Sequence, residues 1–171
     1  MGEPPPDGNG FQPRNPEVDF HGQKRTNQTH QSRTDQESKL HRKGPGKEAK
    51  PCHMGHALSE NRHGLVLGIT VTEASGTAER QAALELLDEV RATHAMRPTT
   101  PGADKGYDDG ASFCEVESRR VEPHVPLVHE PRDPATAPRK ERTKVEARRR
   151  VRGRSSSEGY RLSRLCSQTP P

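Results

Sequence analysis

Apolar residues in this chain collect in one stretch, from about Cys52 to Val128, and inside it their spacing changes. Cys52, Met54, His56 and Leu58 alternate with His53, Gly55, Ala57 and Ser59, the two-residue repeat of a half-buried strand. Asn61-Arg62-His63-Gly64 then supplies turn residues, and Leu65 to Thr72 resumes as a β-branched-rich run, so the two runs read as an antiparallel hairpin. The period then lengthens. Ala82, Ala83, Leu86, Leu87 and Val90 recur at three-to-four spacing and predict a helix over Ala78–Thr93. Thr77 is its cap, and Glu79 suits the positive end of the helix dipole. The apolar stripe of this helix requires a sheet to cover it.

Pro98 and Pro101 flank an extended segment, Thr99 to Ala103, which enters the loop Gly102-Ala103-Asp104-Lys105-Gly106-Tyr107-Asp108. A second short helix is expected from Gly110 to about Arg120 with Phe113 and Val116 facing in, and a weak last strand over His124–Val128. The fold class is α/β, in which functional groups gather in loops at the carboxyl ends of strands.

Outside this stretch the pattern is lost. With 26% hydrophobic and 3% aromatic residues, 16 prolines and 15 glycines, a filled core over the whole length is excluded. The chain divides into a basic, Pro/Gly-rich arm (1–50), a folded part (51–130) and an Arg/Pro/Ser-rich tail expected to be disordered (131–171).

Charge adds a partner class. The net charge is +4, and Arg139 to Arg154 holds nine Lys/Arg against two Glu. Such a segment attracts phosphate backbones in a salt-dependent way, as does the flexible basic stretch Lys39 to Lys50; a solvated loop or tail is the competing reading. No run approaches the roughly 20 apolar residues of a membrane span. The N-terminus has no basic-then-apolar signal, so the expected compartment is the cytoplasm. Cys52, Cys114 and Cys166 are odd in number and widely spaced, which argues against a disulfide scaffold and a four-thiolate zinc site.

Asp104 and Asp108 lie four residues apart around a glycine, and both can approach a hard cation such as magnesium, which prefers carboxylate oxygens. Against this stands an ordinary exposed or loop-capping role for Asp104, and a turn or helix cap for Asp108 beside Asp109. Cys52-His53-x-x-His56 invites a zinc reading. Strand alternation opposes it, because His53 faces away from Cys52 and His56, and core or surface histidines are the simpler reading. Glu60, Glu79, Glu85 and Glu89 read as surface charges, with Glu79 near the strand ends.

Taken in order, Phe20-His21-Gly22-Gln23-Lys24-Arg25, Thr34-Asp35, Arg42-Lys43-Gly44, Lys47-Glu48-Ala49-Lys50, Met54-Gly55-His56-Ala57-Leu58, Glu60-Asn61-Arg62-His63-Gly64-Leu65-Val66, Gly76-Thr77-Ala78-Glu79-Arg80 and the Gly102–Asp108 loop form a series of blocks. The series resembles the bacterial insertion-sequence DDE transposases. Order and approximate spacing hold from about residue 17 to 125.

The resemblance implies a ribonuclease-H-like core, incomplete here, in which two aspartates and a glutamate bind Mg2+ or Mn2+ and drive nicking and strand transfer. Asp104 matches the second catalytic aspartate and is the implied metal ligand; Lys105, Tyr107 and Asp108 match its flanking motif in supporting roles. Lys24, Arg25, Arg42, Lys43 and Lys50 fall in basic blocks assigned to phosphate contact, together with Arg148, Arg149 and Arg150 of the tail. The implied partners are DNA at element ends and full-length transposase.

The family's first aspartate belongs on a strand upstream of the Phe20 block; Asp7 and Asp19 do not match it. The third acid belongs on a helix after a stretch that Gly159-Tyr160-Arg161-Leu162-Ser163-Arg164 echoes. From Arg132 onward the sequence departs from the family pattern, as a shifted or decayed frame would. The expectation is a transposase fragment of marginal stability, with the Ala78–Thr93 helix poorly covered and no cleavage of its own. The alternatives are a nucleic-acid-binding regulator without catalysis and a small metal-binding or structural protein around Cys52, His53 and His56.

Overall fold

The computed structural model describes residues 26–166 except His30 and Pro45. It is a mixed α/β structure whose described residues divide into two compact units, the smaller holding those up to His53 with Glu73–Ser75 and the larger holding Met54–Thr72 with those from Gly76 onward.

In the smaller unit a short strand β1 (Lys39–His41) pairs antiparallel with the start of β2 (Lys50–Ser59), in the register Lys39 to Cys52 and His41 to Lys50. The Asn27 side chain fixes β1 from the side: its amide donates to the Leu40 carbonyl at 3.1 Å and its carbonyl accepts the Leu40 N–H at 2.7 Å. Asp35 receives the N–H groups of Glu37 and Ser38 and pairs with His53 at 2.8 Å. The His53 hydrogen bond comes first among the causes that hold the Asp35 carboxyl below its ordinary pKa. The described part of the expected arm is therefore built of turns and a strand. Residue spacing did not show this because its hydrogen bonds run between a polar side chain and backbone 13 residues away.

In the larger unit β2 continues into the expected hairpin with β3 (Val66–Glu73), completing a sheet of order β1-β2-β3. Glu60 closes the turn, its N–H donating to the Leu65 carbonyl at 2.9 Å. Helix α1 spans Ala78–His94, one residue longer than its apolar period predicts. Thr77 stands at its N-cap without a side-chain capping bond, because its backbone is already near-helical at φ −116° and ψ −10°. The apolar face of α1 is well covered, contrary to expectation: Ala82 and Val90 are 0% exposed, Leu86 and Leu87 2%. The absence of a side chain at Gly68 explains part of this, since a Cβ there would lie 3.0 Å from a Leu86 methyl, so α1 seats directly on the β3 backbone.

The Thr99–Ala103 segment runs parallel to residues 122–124, through Glu122 N–H to the Thr99 carbonyl at 2.8 Å and His124 N–H to the Pro101 carbonyl at 2.9 Å. The expected His124–Val128 strand is reduced to this one bridge between Gly102 and His124. Helix α2 covers Gly110–Ser118, capped by Asp109, whose carboxylate accepts the Ser112 N–H at 2.8 Å. Arg119 then ties this end of α2 to α1 by a bidentate pair with Asp88 at 2.9 and 3.0 Å.

The expected disordered tail holds two helices, α3 (Arg142–Arg154) and α4 (Glu158–Cys166). Ala147 and Val151, one turn apart on α3, are fully buried in a cluster with Phe113 and Val125. Gly110 permits the close approach, because a Cβ there would lie 2.7 Å from the Lys144 carbonyl oxygen. Tyr160 is 4% exposed and stacks at a tilt against the equally buried His124, ring centres 5.5 Å apart. Among the described residues no helix is long and apolar enough to cross a membrane.

Candidate active site around Asp104

Asp104 leaves the parallel segment in extended conformation and caps a single 3-10 turn, Lys105–Tyr107. Its Oδ1 accepts the Gly106 N–H at 2.7 Å, while the residue as a whole stays exposed. Gly106 lies between two acids: a Cβ there would sit 2.9 Å from Oδ1 of Asp104 and 3.8 Å from Oε2 of Glu79. Two carboxylates therefore flank one glycine, Asp104 from the turn and Glu79 from the first turn of α1. Glu79 was read only as a surface charge; its place near the strand ends was the available signal.

Arg80 joins the same elements. Its guanidinium donates to the Gly106 carbonyl at 3.3 Å and to the Gly76 carbonyl at 3.4 Å. Tyr107 is half-buried beside the Phe113 cluster; burial, then the charges of Glu79 and Asp104, push its phenol pKa up, so it remains a neutral hydrogen-bonding group at ordinary pH. Lys105 is exposed on the turn.

Asp108 belongs to a different assembly. Its side chain is 4% exposed and takes a bidentate pair from Arg148 of α3, both contacts 2.8 Å, while Oδ2 also accepts the Val128 N–H at 2.8 Å. Arg148 donates further to the His129 carbonyl at 3.0 Å. Asp108 thus caps the end of the 3-10 turn through its backbone N–H, which donates to the Lys105 carbonyl at 3.1 Å, while its side chain holds α3 and the 128–129 segment to the loop.

The arginine run is likewise divided. Arg150 and Arg154 both clasp Glu117 of α2, at 2.6 and 3.0 Å. Burial raises the Glu117 carboxyl, but the hydrogen bonds from these arginines outweigh it and leave its pKa below the ordinary value. Arg149 faces outward, over half exposed, with only a 3.6 Å contact to Asp133, and Arg152 pairs with Glu130. Sequence reasoning treated Arg148, Arg149 and Arg150 as equivalent phosphate contacts; Arg148 and Arg150 are instead committed to internal pairs. Of the other basic candidates, Arg42, Lys43 and Lys50 are exposed, Lys50 beside Glu48 at 3.7 Å. Lys24 and Arg25 lie outside the described residues, as do Asp7 and Asp19.

The histidines of the zinc alternative have separate partners: His53 pairs with Asp35, and His56 shares a 2.9 Å hydrogen bond with Thr72 across the hairpin. Among the described residues no three His, Cys, Asp or Glu side chains are grouped to hold a metal ion.

A family model described as Transposase DDE domain matches residues 18–169. The match includes α3 and α4, which corrects the expectation that the sequence leaves the family pattern at Arg132. No curated protein and no solved structure matches the chain significantly.

Proposed function

This chain belongs to the transposase DDE-domain family and has a role in DNA transposition; from that premise we propose that Asp104 is a carboxylate of its cleavage site. The observation that carries this reading is the exposed Asp104 turn at the end of a parallel segment, the place where an α/β fold presents its reactive groups. The order of hairpin, helix, parallel segment and helix supports an incomplete ribonuclease-H-like core.

The family uses divalent metal ions, and the described residues do not by themselves fit one. Asp104 has one oxygen engaged with Gly106, Glu79 is the acid across that glycine, and no third ligand joins them. An ion such as Mg2+ demands near-octahedral oxygen ligation, and a pair for phosphoryl transfer sits roughly 3.5–4 Å apart. In our reading the stretch described here binds DNA without cutting it, and cleavage requires further acids or assembly with full-length transposase. Arg42, Lys43, Lys50 and Arg149 are the phosphate contacts this reading assigns, with Lys24 and Arg25 from the preceding segment.

The test is one experiment with two readouts on the purified chain and a duplex carrying element ends. Binding is expected at low salt and to weaken steeply as salt rises. Arg149→Ala should reduce the salt slope by about 0.9, the contribution of one phosphate, while Mg2+ or Mn2+ produces no nicks. Nicking that Asp104→Ala removes would overturn the non-cleaving assignment, and absence of low-salt binding would overturn the DNA assignment.

A further inference from the structure

The last turn of α1, the 96–99 link and the end of α2 enclose an open pocket of about 690 Å³ within the larger unit. It lies away from Asp104: α1 starts with Glu79 beside Gly106 and reaches Arg91 twelve residues later, about 18 Å along the helix. Four of the nine described residues that line the pocket are arginines, Arg91, Arg97, Arg119 and Arg120, and none is an acid. Arg119 is neutralised by Asp88 and Glu115. Arg91, Arg97 and Arg120 have no ion pair or side-chain hydrogen bond among the described residues, so three positive charges face the pocket uncompensated.

Helix ends account for one of the three. Arg91 is in the last turn of α1, where a positive charge suits the helix dipole. Arg97 and Arg120 follow their helices and have no such role. Arg120 also carries a backbone cost: it directly follows Arg119, the C-cap of α2, at φ 59°, a left-handed position that glycine fills without strain. An arginine there serves the pocket rather than the helix end.

We propose that Arg91, Arg97 and Arg120 form a separate phosphate-binding surface that holds the backbone of a DNA strand about 18 Å along α1 from Asp104. This rests on the DNA reading above and extends it to residues that reading does not use. Guanidinium forks match phosphate oxygens through paired hydrogen bonds. The pocket is open and wider than one phosphate ion, so successive phosphates of a strand reach all three arginines where a single free ion does not. The chain's own residues 1–25 are a poor counter-charge: their acids, Glu3, Asp7, Glu17 and Asp19, are scattered and opposed by Arg14, Lys24 and Arg25. A DNA strand instead carries one negative charge per roughly 3.4 Å.

The test is salt-dependent binding of the full chain to a duplex without element ends, so that backbone contacts alone are read. Each phosphate contact adds about 0.9 to the slope of log K against log salt, so Arg91→Gln, Arg97→Gln and Arg120→Gln together should reduce its magnitude by about 2.7. Arg120→Gly alone should reduce it by about 0.9 and yet raise the urea midpoint, which separates the pocket from the fold. On the unaltered chain the Nε–H signals of the three arginines should shift with duplex and stay in place with equimolar inorganic phosphate, a readout that needs no variant. An unchanged slope in a triple variant that still binds DNA overturns this proposal and leaves the DNA reading standing; no binding by the unaltered chain overturns both. A triple variant that unfolds at lower urea with its slope intact shows the arginines paired within the chain. Arginine signals that respond to polyglutamate or free phosphate in preference to duplex assign the pocket to another ligand, and either result overturns the proposal.

Discussion

Asp104 and Asp108 are the same residue type four positions apart in one loop, and the structure gives them opposite surroundings. Asp104 is exposed, caps one short turn and keeps most of its oxygen lone pairs open to solvent. Asp108 is buried and saturated, with a bidentate arginine and a backbone N–H. The difference arises from α3: a helix distant in sequence covers one aspartate and stops short of the other. A carboxylate that is fully used by the fold is lost to chemistry, so the exposed one is the reactive candidate.

The largest expected consequence is on stability at Asp108. Asp108→Ala leaves the Arg148 guanidinium, itself only 23% exposed, without its counter-charge and strands the Val128 N–H. Removing one partner of a buried pair costs about 3–5 kcal/mol, because the remaining charge is uncompensated. A urea-unfolding series should show this loss for Asp108→Ala and a smaller one for Asp108→Asn, which still accepts from Val128. Equal losses at positions 104 and 108 would erase the contrast between them.

The same contrast explains which parts of the molecule were legible in the sequence. The β2–β3 hairpin and α1 were, because their stability comes from a local period: alternation from Cys52 to Leu58, and a stripe from Ala82 to Val90 on one helical face. The Asp104 loop was legible as an acid between glycines at a strand end. Helix α3 was not, because its apolar stripe is only Ala147 and Val151 within a run of arginines, and the groups that neutralise those arginines, Asp108 and Glu117, lie over 30 residues away. Composition sees unpaired positive charge there; tertiary structure pairs it. For the same reason the near approach of Glu79 to Gly106 escaped a reading of spacing, since it depends on how α1 meets the loop.

An intermediate effect is expected at the α2–α3 clasp as pH falls. Hydrogen bonds from Arg150 and Arg154 keep the folded pKa of Glu117 below its ordinary 4.5, so the folded state releases this proton more readily than the unfolded chain. Its contribution to stability is therefore complete above about 4.5, declines below it as the unfolded chain takes up the proton, and is gone once pH passes the lower folded value. The check is the urea midpoint between pH 6 and pH 3 for the native chain and Glu117→Gln. The variant should be less stable at pH 6 and the gap should close toward pH 3; a gap constant with pH would show that the clasp does not depend on the Glu117 charge.

The smallest stability effect is expected at Asp104 itself. Asp104→Ala removes one hydrogen bond to Gly106 on an exposed turn, and loss of a comparable cap costs about 0.5–2 kcal/mol, with the low end appropriate to a single 3-10 turn in water. Asp104→Asn retains an oxygen to accept the same N–H and should leave the urea midpoint within error of the native chain. A loss at Asn as large as that at Ala would mean that the negative charge, and not the hydrogen bond to Gly106, is what the fold uses, through Arg80 or Tyr107. A carboxylate whose charge can be removed at no cost to folding is left for use outside the fold, and the use we propose for it on this loop is to face a divalent cation from solvent.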